Sequence, residues 1–145
     1  MTIQTSEAFE VIGLSEIVQN TDPVKIGALW ARFQSQDVRG ALGEAASAEL
    51  YSVYHDYSGG FLDPYRVTLG YRVPQGTAIP EGFHSAQVPA QKYEVLPTQG
   101  PQPQSLIAQW QSIWQKDIPR AFQADFDLYD TQDPTKITVY LGLSA

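Results

Sequence analysis

Cysteine is absent from this 145-residue chain, which excludes disulfide bonds, a thiol nucleophile and a thiolate metal site. Histidine is almost absent too, because His55 and His84 are the only two and their spacing fits neither a catalytic triad nor a zinc site. No apolar run is long enough to cross a membrane, and the N-terminus lacks the basic and apolar segments of a signal peptide. We therefore expect a cytoplasmic protein with no cofactor, no metal and no membrane partner.

Positive charge is also scarce, with nine Lys and Arg against sixteen Asp and Glu and a net charge of −7. The basic residues are scattered singly, whereas nucleic-acid binding usually depends on clustered Lys and Arg that face phosphates. Direct binding to DNA or RNA is therefore not expected. A negative field favours cationic small molecules, although solubility alone is the simpler explanation of the charge.

Aromatic and apolar residues, by contrast, recur in an order that divides the chain into two similar halves. The offsets between matching segments fall from 84 to 72 residues, as expected if the loops of the second half were shortened. We interpret the halves as two copies of one strand–helix–strand–strand unit, about 8–74 and 86–143, within a single domain; chance matching of short patterns is the alternative. Packed repeats meet at a pseudo-twofold seam, which is a natural place for a ligand pocket. The matches are 9–11 with 93–95, 29–33 with 109–113, 51–54 with 126–129, and 67–70 with 139–142.

Local patterns predict the elements of each unit. Thr21-Asp22-Pro23 has the composition of a helix start, and apolar residues at helical spacing follow it. Residues 39–43 are predicted to be a loop, and Pro89 indicates an edge or a bulge in its strand. The prediction is an α+β fold, an antiparallel sheet with two main helices on one face. Its strands are 8–18, 49–57, 65–74, 86–97, 124–130 and 135–143, and its helices are 22–36 and 104–117.

Three groups of segments carry a resemblance to a known family: 11–14 with 26–33, 51–57 with 70–73, and 93–95 with Trp110 and 125–129. Together they resemble the gyrase-inhibitor-like effector-binding domain, the ligand module of multidrug-sensing AraC- and MerR-type transcription activators. More narrowly, the chain is similar to stand-alone versions that are carried by integron gene cassettes and bind cationic drugs. The resemblance implies a duplicated strand–helix–strand–strand fold, in agreement with the repeat.

The same resemblance implies a binding site. Drug sensors of the family place an acidic residue at the bottom of an aromatic pocket, in a Phe-Glu-x-Tyr-like motif near the C-terminus. The motif falls on Phe126-Asp127-Leu128-Tyr129, where Asp replaces the usual Glu and shortens the reach of the carboxylate. Because the first strand begins near residue 8, we expect no helix-turn-helix before it, and any regulatory role needs a separate DNA-binding partner.

A lipophilic cation requires desolvation, aromatic faces and a counter-charge, and we expect Asp127 to supply that charge. In a strand, Asp127 and Tyr129 share one face, and the repeat places Tyr54 in the position that matches Tyr129. Trp30 and Trp110 complete the predicted cage, with simple core packing as the alternative for both. Three weaker candidates for ligand contact are Tyr93, Phe83 and Tyr71.

The other acidic residues are expected in solvent. Asp125, Asp130 and Asp133 are assigned to strand ends and turns, since their spacing matches no calcium loop. Glu10 and Glu94 are equivalent by repeat and are assigned to a solvent face, with a second pocket acid as the alternative.

These observations favour a non-enzymatic module that binds hydrophobic, cationic small molecules between the two repeats. One alternative is hydrolysis of strained electrophilic compounds, which some members of the resembling family perform, with Asp127 as general base. The other is inhibition of a basic enzyme such as gyrase through the acidic surface.

Overall fold

The computed structural model describes residues 2–20, 23–59, 62–98, 100–133 and 135–144. The order strand–helix–strand–strand occurs twice, as β2-α1-β3-β4 and β6-α3-β7-β8, which confirms the duplicated α+β fold. The predicted helix cap at Thr21-Asp22 lies outside the described residues, as do Gly60 and Pro134 of the predicted turns. The elements are β1 (Thr2–Ser6), β2 (Phe9–Val18), α1 (Pro23–Ser35), α2 (Val38–Leu42), a 3₁₀ turn (Gly43–Ala45), β3 (Leu50–His55), β4 (Tyr65–Val73), β5 (His84–Val88), β6 (Gln91–Thr98), α3 (Gln104–Gln115), β7 (Ala124–Tyr129) and β8 (Ile137–Leu143).

The eight strands form one antiparallel sheet in the order β1-β6-β8-β7-β3-β4-β2-β5, which is symmetric about the central β7–β3 pair. Ser52 pairs with Asp127 across this junction. The same two residues are 75 positions apart, which is the offset that relates segment 51–54 to 126–129. A residue pairs with its own repeat equivalent only at the symmetry axis, so the pseudo-twofold axis passes between Ser52 and Asp127.

The sheet is rolled. Strands β5 and β6 lie toward opposite ends of the sheet, yet only Pro89 and Ala90 separate them in sequence. Three peptide steps span at most about 11 Å, whereas the six strand spacings between β6 and β5 would span roughly 29 Å in a flat sheet. The two edges must therefore approach each other. Accordingly, the rings of Phe9 on β2 and Phe126 on β7 meet at 5.4 Å although two strands lie between them in the sheet.

Each face of the rolled sheet has its own core. On the convex face, α1 packs over β2 and β4 while α3 packs over β6, so the central β3–β7 pair lies between the two helices. The buried residues of that face form one cluster near α1 around Leu14 and Leu69 and another near α3 around Ile113 and Leu141. The concave face encloses a third cluster, made of Phe9, Val11, Tyr51, Val53, Ala86, Val88, Tyr93, Ala124 and Phe126.

Two repeat-equivalent glycines permit close approach of the backbone in the roll. A Cβ on Gly70 would lie 2.1 Å from the carbonyl oxygen of Ile12, and one on Gly142 would lie 2.6 Å from that of Ala124. Any side chain at either position would push the neighbouring backbone away. The repeat therefore extends to two positions at which only glycine allows the backbones to approach this closely.

Three details of the sequence prediction are wrong. Strand β1 was not predicted, because its residues are mostly polar and all but Ser6 are exposed. The single strand predicted for 86–97 is two strands, since the chain crosses from one end of the sheet to the other at Pro89 and Ala90. The loop predicted for 39–43 includes most of helix α2, whose Gly40 N–H donates to the capping Asp37 at 3.0 Å. Within the described ranges, no helix has the length and apolarity that a membrane span requires.

Candidate functional site

The carboxyl group of Asp127 lies at the pseudo-twofold axis, on the convex face between the two helices, and is fully buried. Its Oδ2 accepts a hydrogen bond from the Tyr54 hydroxyl, and its Oδ1 accepts one from the indole Nε1 of Trp110 at 3.1 Å. Burial raises the pKa of Asp127 to about 7, against the opposing effect of these two hydrogen bonds. Burial and the neighbouring carboxylate hold the pKa of Tyr54 well above its usual range, so its hydroxyl stays a donor.

Four aromatic side chains are arranged symmetrically around this axis. The rings of Trp110 and Tyr54 are 5.3 Å apart at 76°, and those of Trp30 and Tyr129 are 5.5 Å apart at 61°. In each pair, a tryptophan from the helix of one repeat packs against a tyrosine from the central strand of the other repeat. The structure thus brings together Asp127 and the four residues of the cage predicted from the sequence.

The three weaker candidates lie elsewhere. Tyr93 belongs to the concave core, where its ring is 5.3 Å from that of Phe126. Phe83 and Tyr71 pack at the margin of the cluster near α1, and the Tyr71 ring lies under the Arg39 guanidinium at 4.4 Å. Ligand contact by Tyr93, Phe83 or Tyr71 stays a prediction, and the geometry does not group them with Asp127.

A second carboxyl group lies two residues along the same strand. Asp125 was predicted to be solvated, but it is fully buried. Its Oδ2 accepts from the Tyr57 hydroxyl and from Arg120 Nη2 at 2.9 Å, and its Oδ1 accepts from the Gly142 N–H at 2.6 Å. Burial raises the pKa of Asp125, and the charge of Arg120 opposes that shift. Strand alternation alone places Asp125 on the face of Asp127, whereas the Arg120 contact has no signal in the sequence.

Glu10 and Glu94, which were predicted on a solvent face, are both buried. The carboxylate of Glu10 accepts from the Gly76 N–H at 3.1 Å and from the Ser85 hydroxyl at 2.6 Å. Both donors come from segments far away in sequence, which is why the pattern of the strand alone misplaced Glu10. Asp130, by contrast, is exposed in the predicted turn.

His55 takes part in an arrangement that resembles a catalytic relay. Its Nε2 is 2.7 Å from the Thr68 hydroxyl and its Nδ1 is 3.5 Å from Asp56. Thr68 is fully buried, so its hydroxyl cannot reach a substrate. Burial also lowers the pKa of His55, which favours a neutral structural role. Among the described residues, no group of three or more His, Asp and Glu side chains is placed to hold a metal ion.

The side chain of Asp127 has no solvent-exposed surface. Two surface cavities lie elsewhere, and Asp127 lines neither. Because Asp127 is fully buried, neither of these cavities gives a ligand direct access to its carboxylate. The larger cavity, ≈ 450 Å³, is lined by Glu49, Pro97, Thr98, Leu128, Asp130, Lys136 and Thr138; the smaller, ≈ 340 Å³, by Ala8, Phe9, Arg72, Val73, Pro74 and Gln75.

Comparison with known proteins agrees with this architecture. The family model of integron-associated effector-binding proteins matches residues 2–143. YobU of Bacillus subtilis (strain 168) is 30% identical over 129 residues, which cover 81% of this chain and 79% of YobU. The transcriptional regulator BrlR of Pseudomonas aeruginosa is 30% identical over 128 residues, covering 85% of this chain but only 45% of BrlR.

Two solved structures share the fold. An integron cassette protein from the mobile metagenome of Vibrio cholerae has a TM-score of 0.82 and 22% identity, with 99% of this chain and 95% of that chain covered. SAV2435, solved with bound tetraphenylphosphonium, has a TM-score of 0.76 and 16% identity, with 99% of this chain and 93% of that chain covered.

Proposed function

Because the chain belongs to the family of integron-associated effector-binding proteins, we propose that its effector is a lipophilic cation and that Asp127 is the counter-charge. The observation that carries this proposal is a fully buried carboxyl group whose two hydrogen-bond donors, Tyr54 and Trp110, are both neutral. The Tyr54 and Trp110 rings form one aromatic pair at this carboxyl group, and Trp30 and Tyr129 form the symmetry-related pair.

Among the described residues, the carboxyl group of Asp127 accepts hydrogen bonds from neutral donors and has no cationic partner. Burying a carboxylate without a cation is costly, and that cost appears here as the raised pKa of Asp127. A cation that enters the seam relieves the cost, and each aromatic face adds roughly 0.5–2 kcal/mol. Anions are repelled and neutral analogues gain nothing from the carboxylate, so the site selects for charge. The bound tetraphenylphosphonium of the structurally similar SAV2435 supports this ligand class.

Entry of the ligand is proposed to displace the ring of Trp110. This residue lies on α3, a helix whose only fully buried side chain among the described residues is Ile113. Tyr54, in contrast, lies on the central strand β3, which is paired on both sides. Moving the helical ring therefore disturbs fewer contacts, and it breaks the hydrogen bond that the cation replaces.

Titration with tetraphenylphosphonium, followed by tryptophan fluorescence, tests the proposal. The wild-type protein should bind saturably and Asp127→Asn should bind far more weakly. Glu10→Gln is the matched control, since it also neutralises a buried, hydrogen-bonded carboxylate on this sheet and should keep wild-type affinity. Retained affinity in Asp127→Asn would remove Asp127 from this role.

Hydrolysis is a second candidate because the pKa of Asp127, at about 7, suits a general base at neutral pH. The reactant would be a strained, electrophilic compound such as an epoxide. A water that Asp127 deprotonates would attack a ring carbon, the ring C–O bond would break, and the ring oxygen would take up the proton held by Asp127 to give a diol. Incubation with a styrene oxide panel, followed by chromatography, would reveal diol formation that is lost in Asp127→Asn. Saturable binding of the epoxide without product formation would exclude hydrolysis and leave binding as the function.

A further inference from the structure

The two buried carboxyl groups on β7 differ in how their charge is balanced. Asp125 has a cation of its own, since Arg120 Nη2 contacts its Oδ2 at 2.9 Å, whereas the two groups that contact Asp127 are neutral. The Arg120 side chain is only 8% exposed, so this pair is shielded from solvent. Its Nε has no acceptor among the described residues, which leaves the Asp125 contact as its principal polar anchor.

The surroundings of Arg120 are those expected for a bound cation. Its guanidinium carbon lies 4.3 Å from the centre of the Phe122 ring and 5.7 Å from that of Trp110. Trp110 is thus shared, because its indole N–H donates to Asp127 while its ring is within cation–π range of Arg120. A carboxylate, two aromatic rings and a cation are already assembled beside the seam.

We propose that Arg120 is a built-in counter-cation that limits the site to ligands with one cationic centre. This inference rests on the proposed function and concerns the class of cation that Asp127 accepts. Asp125 and Asp127 are two residues apart in a strand, so their Cα atoms are about 7 Å apart. Without Arg120, the two carboxylates would form a site for a dication of that span. With Arg120 in place, the Asp125 carboxylate is already paired. The second positive centre of a dication would therefore find no free carboxylate and would be repelled by the positive charge of Arg120.

A matched ligand pair tests this by isothermal titration calorimetry. N-methyl-4-phenylpyridinium and N,N′-dimethyl-4,4′-bipyridinium have nearly the same flat shape but carry one and two positive charges. Wild type should prefer the monocation at least tenfold, and Arg120→Gln should shift the ratio of dissociation constants at least tenfold toward the dication. Arg120→Lys, which keeps the charge, should keep the wild-type preference.

Arg72→Gln is the control for net charge, because it also removes one positive charge but from an exposed position over the Phe9 ring on the concave face. An equal ratio shift in Arg120→Gln and Arg72→Gln, or no shift in either, would overturn the inference. A wild type that binds tetraphenylphosphonium but shows no preference within the ligand pair would also overturn it while leaving the proposed function intact. A wild type that binds no cation would overturn both.

A second variant covers the case in which Arg120→Gln fails to fold. Asp125→Asn removes the partner of Arg120 but keeps its charge beside the seam, so affinity for the monocation should fall at least threefold. Unchanged affinity in a folded Asp125→Asn protein would contradict the role given to Arg120.

Discussion

The two Trp–Tyr pairs that flank the pseudo-twofold axis have similar ring geometry but different hydrogen bonding. Trp110 and Tyr54 both donate to Asp127, while Trp30 and Tyr129 pack at nearly the same distance and contribute rings to the cage. The difference follows from one position, because the axis places Ser52 on one side and Asp127 on the other. Duplication produced a symmetric aromatic frame, and one carboxylate made it asymmetric.

This asymmetry explains how a duplicated fold yields one charged site. Two equivalent carboxylates facing each other across the axis would repel and would raise each other's pKa. A serine opposite Asp127 avoids that repulsion and keeps the seam at a single negative charge.

The largest effect is expected from moving the charge across the axis. Asp127→Ser should weaken tetraphenylphosphonium binding about 100-fold, or about 2.8 kcal/mol, because both sides of the axis then carry serine. The exchange Ser52→Asp with Asp127→Ser should recover at least tenfold of that loss, as the carboxylate again faces the seam. A double variant that binds no better than Asp127→Ser would show that the frame is not symmetric in function.

The next effect concerns the pH dependence of binding. Since the pKa of Asp127 is about 7, the free site is increasingly protonated below that pH and a cation must compete with the proton. Affinity should be level above pH 8 and fall about tenfold per unit below pH 6. The residual affinity of Asp127→Asn should be independent of pH between 5 and 8. A level profile in the wild-type protein would contradict an Asp127 that titrates near 7.

Stability should respond to pH with a defined sign. The folded pKa of Asp127, about 7, lies above the ordinary value of 3.8, so the folded state holds an extra proton between these values. The contribution of Asp127 to the free energy of unfolding is therefore lost as pH rises from about 4 to 7, at up to about 1.4 kcal/mol per pH unit. Above pH 7 this contribution no longer changes. The free energies of unfolding of the wild-type and Asp127→Asn proteins can be compared by denaturation from pH 5 to 8. The wild-type value should fall relative to that of the variant up to about pH 7, and the difference between them should be constant at higher pH.

The smallest effect separates the two tryptophans. Trp30→Phe replaces an indole face that contacts the bound cation and should weaken cation binding by roughly threefold, a cost within the range of one exposed cation–π contact. Trp110→Phe alters a ring that the ligand displaces, so its affinity above pH 8 should stay close to that of the wild type. Only Trp110→Phe removes a hydrogen bond that lowers the pKa of Asp127, so only that variant should move the midpoint of the binding–pH profile upward. Equal midpoints in the two variants would mean that the Trp110 hydrogen bond does not stabilise the carboxylate.

Sequence periodicity predicted much of this frame, and its failures have a common physical cause. Repeats preserve the spacing of apolar side chains, which is why the order of elements and the shared face of Asp127 and Tyr129 were accessible. The burial of Asp125 and Glu10 depends on donors that arrive from distant segments, namely Tyr57 and Ser85. Local pattern carries no information on such partners, and a lone acidic residue is assigned to solvent by default.

The edges of the sheet show the same limit. Strand β1 has exposed polar side chains and is held by backbone pairing with β6, so it lacks the alternation that marks a half-buried strand. The break at Pro89 was visible as a disturbance, but the crossing from one end of the sheet to the other follows only from the closure of the roll.

The most direct test of this account is a crystal structure of the protein with tetraphenylphosphonium bound. We expect the phosphonium between α1 and α3, its phenyl rings against Trp30, Tyr54 and Tyr129, the carboxylate of Asp127 facing the cation, and the Trp110 hydrogen bond broken. A ligand in the cavity near Glu49 and Asp130, with Asp127 still bonded to both Tyr54 and Trp110, would contradict it.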